Sequence, residues 1–291
     1  MPGIVNRFEL VNNQARGLVQ LGMMAFFQRI GRDRYHPQEF EVETLPIALP
    51  GLDPAFDGYR IVQITDLHVG HWLSLHRLAG VMELVNQQQP DLVVMTGDYV
   101  SYVVEPVAAG MIESLASLRA PDGVVAILGN HDHWMDAERI SEILRQAGVV
   151  VLRNDVYTLQ RDGTQGGMPA NLHIAGLDDI MVGQHDLPKL LHAMPDGSPA
   201  ILLAHEPDFA DQAAATGRFA LQLSGHSHGG QIVFPKVGVL VRGPMFKKYP
   251  NGRYQVGSMT QYTNRGVGTH VLRLRWNCPP EITSITLHAG D

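Results

Sequence analysis

Tyr59-Arg60-Ile61-Val62-Gln63-Ile64-Thr65 is a β-rich run, and it ends in Asp66-Leu67-His68-Val69-Gly70. The pattern then repeats. A stretch with helical apolar spacing follows (Leu75, Leu78, Val81, Met82, Val85) and is stopped by Pro90. Asp91-Leu92-Val93-Val94-Met95-Thr96 reads as a second buried strand, closed by Gly97-Asp98. Val107–Leu118 reads as a helix, and Val124–Leu128 as a third strand closed by Gly129-Asn130-His131-Asp132-His133. A third helix is expected over Asp136–Ala147, ahead of Gly148. Strand–helix alternation of this kind specifies α/β architecture, a parallel sheet covered by helices. In such sheets ligands sit beyond the carboxyl ends of the strands, where all three polar clusters fall.

The second half is richer in strands. They are expected at 149–151, 156–159, 172–177, 200–204, 221–224, 231–234, 254–256, 270–275 and 282–287, with short helices over 187–193 and 208–215. Asp178-Asp179 closes one strand, His205-Glu206-Pro207-Asp208 another, and Gly225-His226-Ser227-His228 a third.

Upstream, residues 1–35 read as one amphipathic helix and residues 36–58, with Pro37, Pro46, Pro50, Gly51, Pro54 and Gly58, as a linker or edge strand. Residues 59–291 then make the catalytic domain. Leu18–Phe27 is too short to span a bilayer and is interrupted by Gln20, with Arg16, Arg29, Arg32 and Arg34 around it. Packing on its own domain and lying on a membrane surface are the two readings of this helix.

Composition narrows the class. Hydrophobic residues make up 45% and charged residues 18%, an ordinary globular balance. The formal net charge of −7 argues against non-specific nucleic-acid binding. A single cysteine, Cys278, rules out an intramolecular disulfide and any cysteine-rich metal site. No obligate protein partner is signalled.

Histidine carries the chemistry. Asp66, His68, Asp98, Asn130, His205, His226 and His228 offer carboxylate, amide and imidazole donors with no thiolate. Such a set suits Mn²⁺, Zn²⁺ or Fe. Seven ligands exceed what one ion with an open position takes, but fit two ions about 3.5–4 Å apart that share Asp98. Asp66 and His68, two apart, would face the same way on extended backbone. Two such ions clamp a phosphate and generate a hydroxide that attacks phosphorus. His131 is left to serve the leaving group, with Asp132 behind it to orient the ring.

Asp-x-His at 66–68, Gly-Asp at 97–98, Gly-Asn-His-Asp at 129–132, His205 ahead of Glu-Pro-Asp, and Gly-His-Ser-His at 225–228 together resemble the calcineurin-like metallophosphoesterase family, in its bacterial YkuE/YaeI-like branch. The resemblance implies a four-layer α/β/β/α sandwich with two central mixed sheets. It implies Asp66, His68 and His228 on one ion, Asn130, His205 and His226 on the other, Asp98 bridging and His131 catalytic. It also implies a phosphodiesterase or pyrophosphatase acting on a nucleotide-sugar-lipid or other lipid-linked substrate, in the cytoplasm or peripheral at the inner membrane. A soluble phosphomonoesterase, a cyclic-nucleotide phosphodiesterase and a non-catalytic scaffold are the alternatives.

His71 and His133 flank the clusters and are read either as substrate contacts or as solvated loop positions, and Asp179 is a weaker candidate beside them. Arg242, Lys247 and Lys248 form a basic loop, read either as meeting a second phosphate or as merely solvated. His36, His76, His173, His185, His192, His270 and His288 are expected on the surface or in the core.

Overall fold

A computed structural model describes residues 7–30, 33–164, 169–239, 243–270 and 272–290, the side chains of residues 7–14 and 28 excepted. Arg242 and the first six residues of the expected N-terminal helix lie outside the described residues. In chain order the elements begin with α1 (Arg7–Arg29), β1 (Glu41–Pro50), β2 (Arg60–Ile64), α2 (Leu75–Gln87), β3 (Leu92–Thr96) and α3 (Glu105–Ala116). There follow β4 (Val124–Ile127), α4 (Asn130–Met135), α5 (Ala137–Gln146), β5 (Val150–Val151), β6 (Asp155–Arg161) and β7 (Ala170–Gly176). The chain closes with α6 (Leu187–Ala193), β8 (Ala200–Leu203), α7 (Ala210–Ala215), β9 (Leu221–Ser224), β10 (Val233–Phe234), β11 (Gly238–Val239), β12 (Gly252–Val256), β13 (Met259–Thr263) and β14 (Glu281–Gly290).

Two six-stranded sheets face each other. Their strand orders are β1-β14-β2-β3-β4-β5 and β12-β13-β9-β8-β7-β6. The runs β2-β3-β4-β5 and β13-β9-β8-β7 are parallel, while β14–β2, β12–β13 and β6–β7 are antiparallel, so both sheets are mixed. Residues 41–50 are an edge strand of the first sheet, paired along their whole length with β14.

The continuous apolar strands are explained by burial on both faces. Ile61, Leu92, Val94, Val125 and Ile127 point between the sheets, where they meet Leu172, Ile174, Ile201, Leu203, Leu221 and Leu223 of the second sheet. Their neighbours Val62, Val93, Met95 and Ala126 point outward beneath α2, α3 and α5, against Leu78, Val81, Met111, Ile140 and Leu144. On the far side Ala175 and Leu202 meet Leu190 of α6 and Ala210 and Ala213 of α7. The layers are therefore α/β/β/α.

One expected strand is absent. Residues 272–275 form a loop, because the buried Arg275 guanidinium draws the chain around it. It donates to the carbonyls of Arg265 at 2.7 Å, Gly266 at 3.0 Å and Gly268 at 2.6 Å.

Candidate metal centre

The polar clusters at 66–68, 98, 130–132, 205 and 226–228 follow β2, β3, β4, β8 and β9, at the carboxyl edge where the two sheets meet. Asp66, His68, Asp98, His226 and His228 all carry positive φ, between 45° and 66°. Asp66 and His68 therefore converge through left-handed backbone, not through the extended geometry their spacing suggested. Non-glycine residues held there store strain, and such strain clusters at functional sites. Gly97 has φ 98°, and a Cβ there would lie 2.6 Å from Gly129 N and 2.8 Å from His205 Nδ1. Only glycine lets the β3 and β4 loops close on each other here.

Three groups of side chains bring their ligand atoms within 4.8 Å of one another: Asp66, His68 and His228; His68, Asp98 and His131; Asp98, His205 and His226. The two histidines of the 226–228 pair thus serve different groups. Asp66 Oδ1 lies 3.2 Å from His228 Nε2, which is 3.1 Å from His68 Nε2. Asp98 Oδ2 lies 3.3 Å from His205 Nε2 and 3.6 Å from His68 Nε2.

Outer partners leave the inner nitrogens available. His68 Nδ1 meets Ser101 Oγ at 3.0 Å. His205 Nδ1 donates to the Thr96 carbonyl at 2.6 Å, and His226 Nε2 to the Pro244 carbonyl at 3.1 Å. A carbonyl only accepts, so His205 must present Nε2, and His226 Nδ1, to the centre. Asp66 Oδ1, Asn130 Oδ1 and His205 Nε2 are buried without a hydrogen-bond partner. Buried acceptors without donors are costly unless something cationic fills the space between them. The residues present fit a pair of divalent cations.

Electrostatics agree. Burial pushes the Asp66 carboxyl up to about 7, with Asp98 adding to the effect. Burial also holds the His68 and His228 imidazoles well below their ordinary value. Burial opposes ionisation of Asp98, yet His205 and His131 together hold its carboxyl well below the carboxylate range.

Asp132 departs from expectation. Oδ2 accepts from the N–H of Asp98 at 2.9 Å and of Gly129 at 2.9 Å, and Oδ1 from the N–H of Tyr99 at 2.8 Å. Burial and Asp98 push this carboxyl up to about 8. Its hydrogen-bonding neighbours are all N–H donors, however, and they favour the ionised form. The carboxylate braces the β3 and β4 loops and is not hydrogen-bonded to the His131 ring. His131 is 4% exposed, with Nδ1 unpartnered. Its ring packs against His68, Trp134 and His270, with centroids 4.7–4.8 Å away.

Other candidates lie elsewhere. His133 bonds Asp178 at 2.7 Å, and Asp178 also accepts from Arg153 at 2.8 Å. Asp179 is buried beside Glu206, and burial with that carboxylate pushes it up to about 8. Lys248 pairs with Asp211. His71 packs by its Nδ1 on Thr269 at 3.0 Å. His270, expected in the surface or core, stacks on His68 and His228 at 5.6 and 5.9 Å. No spacing signal marks His270, because it arrives on the irregular segment after β13.

A catalytic centre of this donor chemistry, at the shared edge of two sheets in an α/β/β/α sandwich, is that of a metal-dependent phosphoester hydrolase. The chain belongs to the calcineurin-like phosphoesterase family, whose model matches residues 59–230. It is 37% identical to the Bacillus subtilis metallophosphoesterase YkuE, over 94% of this chain and 95% of that protein. It is 31% identical to the Escherichia coli phosphodiesterase YaeI, over 79% of this chain and 82% of that one. A Danio rerio transmembrane protein with a metallophosphoesterase domain is 30% identical over 86% of this chain and 56% of its own length. Among the described residues, no helix is long and apolar enough to cross a membrane.

Proposed function

We propose that the chain is a dinuclear phosphodiesterase or pyrophosphatase. Asp66, His68 and His228 would hold one divalent ion and Asn130, His205 and His226 a second, with Asp98 shared between the two. The observation that carries the reading is that two adjacent groups of ligand atoms, Asp66 with His68 and His228 and Asp98 with His205 and His226, stand beside buried acceptors without a hydrogen-bond partner, Asp66 Oδ1, Asn130 Oδ1 and His205 Nε2. The donor set suits Mn²⁺ or Zn²⁺, with Fe also accommodated. When bound, the ions supply Lewis acidity to the phosphoryl oxygens and lower the pKa of the attacking water. The protein's own part is to fix the His205 and His226 tautomers through the Thr96 and Pro244 carbonyls, to orient the His68 ring through Ser101, and to offer a His131 N–H to the leaving oxygen. Asp132 is a positioning residue for the two loops that carry Asp98 and Asn130.

A diester substrate is supported by YaeI, named a phosphodiesterase, and by a pocket of about 730 Å³ beside His131 that leaves room for a large substituent on the phosphate. A nucleotide-sugar-lipid or lipid-linked substrate at the cytoplasmic face of the inner membrane is supported by α1. Leu18, Val19 and Phe26 there are 71%, 62% and 57% exposed, with Arg16 and Arg29 on the same helix. That combination suits the surface of an anionic phospholipid bilayer.

The test joins metal analysis to a substrate panel of aryl phosphomonoester, aryl phosphodiester, cyclic nucleotide and UDP-diacylglucosamine, each with Mn²⁺ or Zn²⁺. Two metals per chain and preferential turnover of the diester or the UDP-lipid are expected; faster turnover of the monoester would replace the reading. His131→Gln should keep both metals and lose about 10²–10⁴-fold in kcat. Sedimentation with anionic phospholipid vesicles should carry the chain down, and Leu18→Glu with Phe26→Glu should release it.

A further inference from the structure

Helix α1 does more than cover the core. Gln20, Leu21, Met24 and Phe27 form the face turned toward the domain, at helical spacing. Leu21 and Met24 pack on the core beneath. Gln20, on that same face, is only 3% exposed, and neither its amide nitrogen nor its amide oxygen has a hydrogen-bond partner among the described residues. A buried primary amide with both ends unpaired is unfavourable, and leucine would pack there without that cost. Gly70 makes room for it: at φ 88°, a Cβ on residue 70 would lie 2.8 Å from Gln20 Nε2.

Gln20 opens onto the pocket of about 730 Å³ that His131 also lines. Val19 and Met23 of α1, with Trp134 and Leu272 across from them, supply apolar walls. Two cationic groups stand in the wall: Arg16, whose guanidinium lies 5.5 Å from the Tyr102 ring, and Arg273. Nε and Nη2 of Arg273 are buried and have no hydrogen-bond partner among the described residues, while its guanidinium lies 5.1 Å from the Phe27 ring. A half-buried guanidinium with two idle donor nitrogens is a fork that suits an anionic oxygen. Gln20 and Arg273 lie on segments about 250 residues apart, so local sequence does not account for their meeting at one cavity next to His131.

We infer that α1 is a wall of the substrate site, and that its pocket takes an amphiphilic substituent carrying a second anionic group, read by Arg273 and Gln20 while the hydrocarbon lies on Val19, Met23, Trp134 and Leu272. The inference rests on the phosphodiesterase reading for the position of the scissile phosphate. It goes beyond that reading in naming what the substituent must contain.

The full chain, loaded with Mn²⁺, is assayed with three p-nitrophenyl phosphodiesters whose second substituent is methyl, octyl or 8-carboxyoctyl. Wild type is expected to prefer carboxyoctyl over octyl over methyl, mainly through KM. Arg273→Met and Gln20→Leu should each lower the carboxyoctyl-to-methyl ratio of kcat/KM by about tenfold or more, the size of one charge-assisted contact. Arg273→Lys should restore part of it, since it keeps the charge and loses the fork. Gln20→Leu should melt no lower than wild type, which separates a binding role from a folding one. A ratio within about twofold of wild type in both variants, or no preference among the esters in wild type, overturns the inference.

Calorimetric binding of octyl sulfate, below its micellar concentration, keeps the two readings apart. If no diester is hydrolysed, the phosphodiesterase reading fails. Octyl sulfate binding that weakens about tenfold in Arg273→Met would still uphold the pocket, and binding equal in both proteins would overturn it.

Discussion

Asp132 offers the sharpest test of how the centre is held together. Its two oxygens accept three backbone N–H groups, from Asp98, Tyr99 and Gly129, in a position with no solvent exposure. Asp132→Asn keeps one oxygen. Turned toward Asp98 and Gly129, that oxygen retains two bonds, now to a neutral acceptor, while the new NH₂ faces the Tyr99 N–H donor to donor. The expected loss is about 1–3 kcal/mol, the cost of one unmet buried donor. Asp132→Ala leaves all three donors unmet and should cost at least about 3 kcal/mol. At roughly 2–4 °C per kcal/mol, the alanine variant should melt at least about 6 °C below wild type. Urea unfolding of chelator-treated protein reads this without contribution from bound ions. If Asp132 acted instead by orienting His131, alanine would leave stability within about 0.5 kcal/mol of wild type and reproduce the kcat defect of His131→Gln. That result would refute the bracing role.

Three further outcomes follow from the same geometry. Gly97→Ala forces a Cβ to within 2.6 Å of Gly129 N at φ 98°, and should cost about 2–4 kcal/mol and reduce bound metal, read by urea unfolding and metal analysis. Adding Mn²⁺ or Zn²⁺ to chelator-treated protein at about 100 times the dissociation constant should stabilise it by about 2.7 kcal/mol, seen as a rise in melting temperature; Asp98→Asn should remove most of that rise. Burial holds the His173 imidazole below its ordinary value, with Nδ1 on Thr158 Oγ1 at 2.9 Å and Nε2 unpartnered. The unfolded chain takes up this proton near pH 6.5 and the folded chain does not, so the contribution is a loss of stability as pH falls below about 6.5. His173→Leu should flatten the acid side of the stability profile relative to wild type, and parallel profiles would remove His173 as a cause.

Much of the fold could be read from the chain because both faces of the inner strands are buried. Runs such as Leu92–Thr96 are buried throughout and apolar up to Met95, short enough to be strands, and separated by helical spacing. The loops at their carboxyl ends had to hold the site, and residues 66–68, 97–98 and 129–132 stand there. The strand expected at 270–275 could not be corrected from local pattern. What breaks it is Arg275, whose partners are carbonyls at positions 265, 266 and 268, brought near by the loop itself. Asp132 beside His131 suggested a carboxylate–imidazole pair, since nothing in Asn-His-Asp-His tells that the chain enters helix α4 there. The turn of the helix carries Asp132 away from the imidazole and toward the β3 loop.

Residue chemistry and its order along the chain determine the class of reaction, since the donor types and the strand ends that carry them are properties of local sequence. Which donors share a group is decided by tertiary structure. His226 and His228 are two residues apart, yet His228 joins Asp66 and His68 from the loop after β2, while His226 joins Asp98 and His205 from the loops after β3 and β8. The substrate wall is decided there as well. Gln20 looks like a flaw in an apolar helix until α1 docks, and Arg273 looks like an ordinary surface charge until the loop after β13 folds under it. Long-range packing, which no spacing encodes, sets both beside His131 in a single cavity.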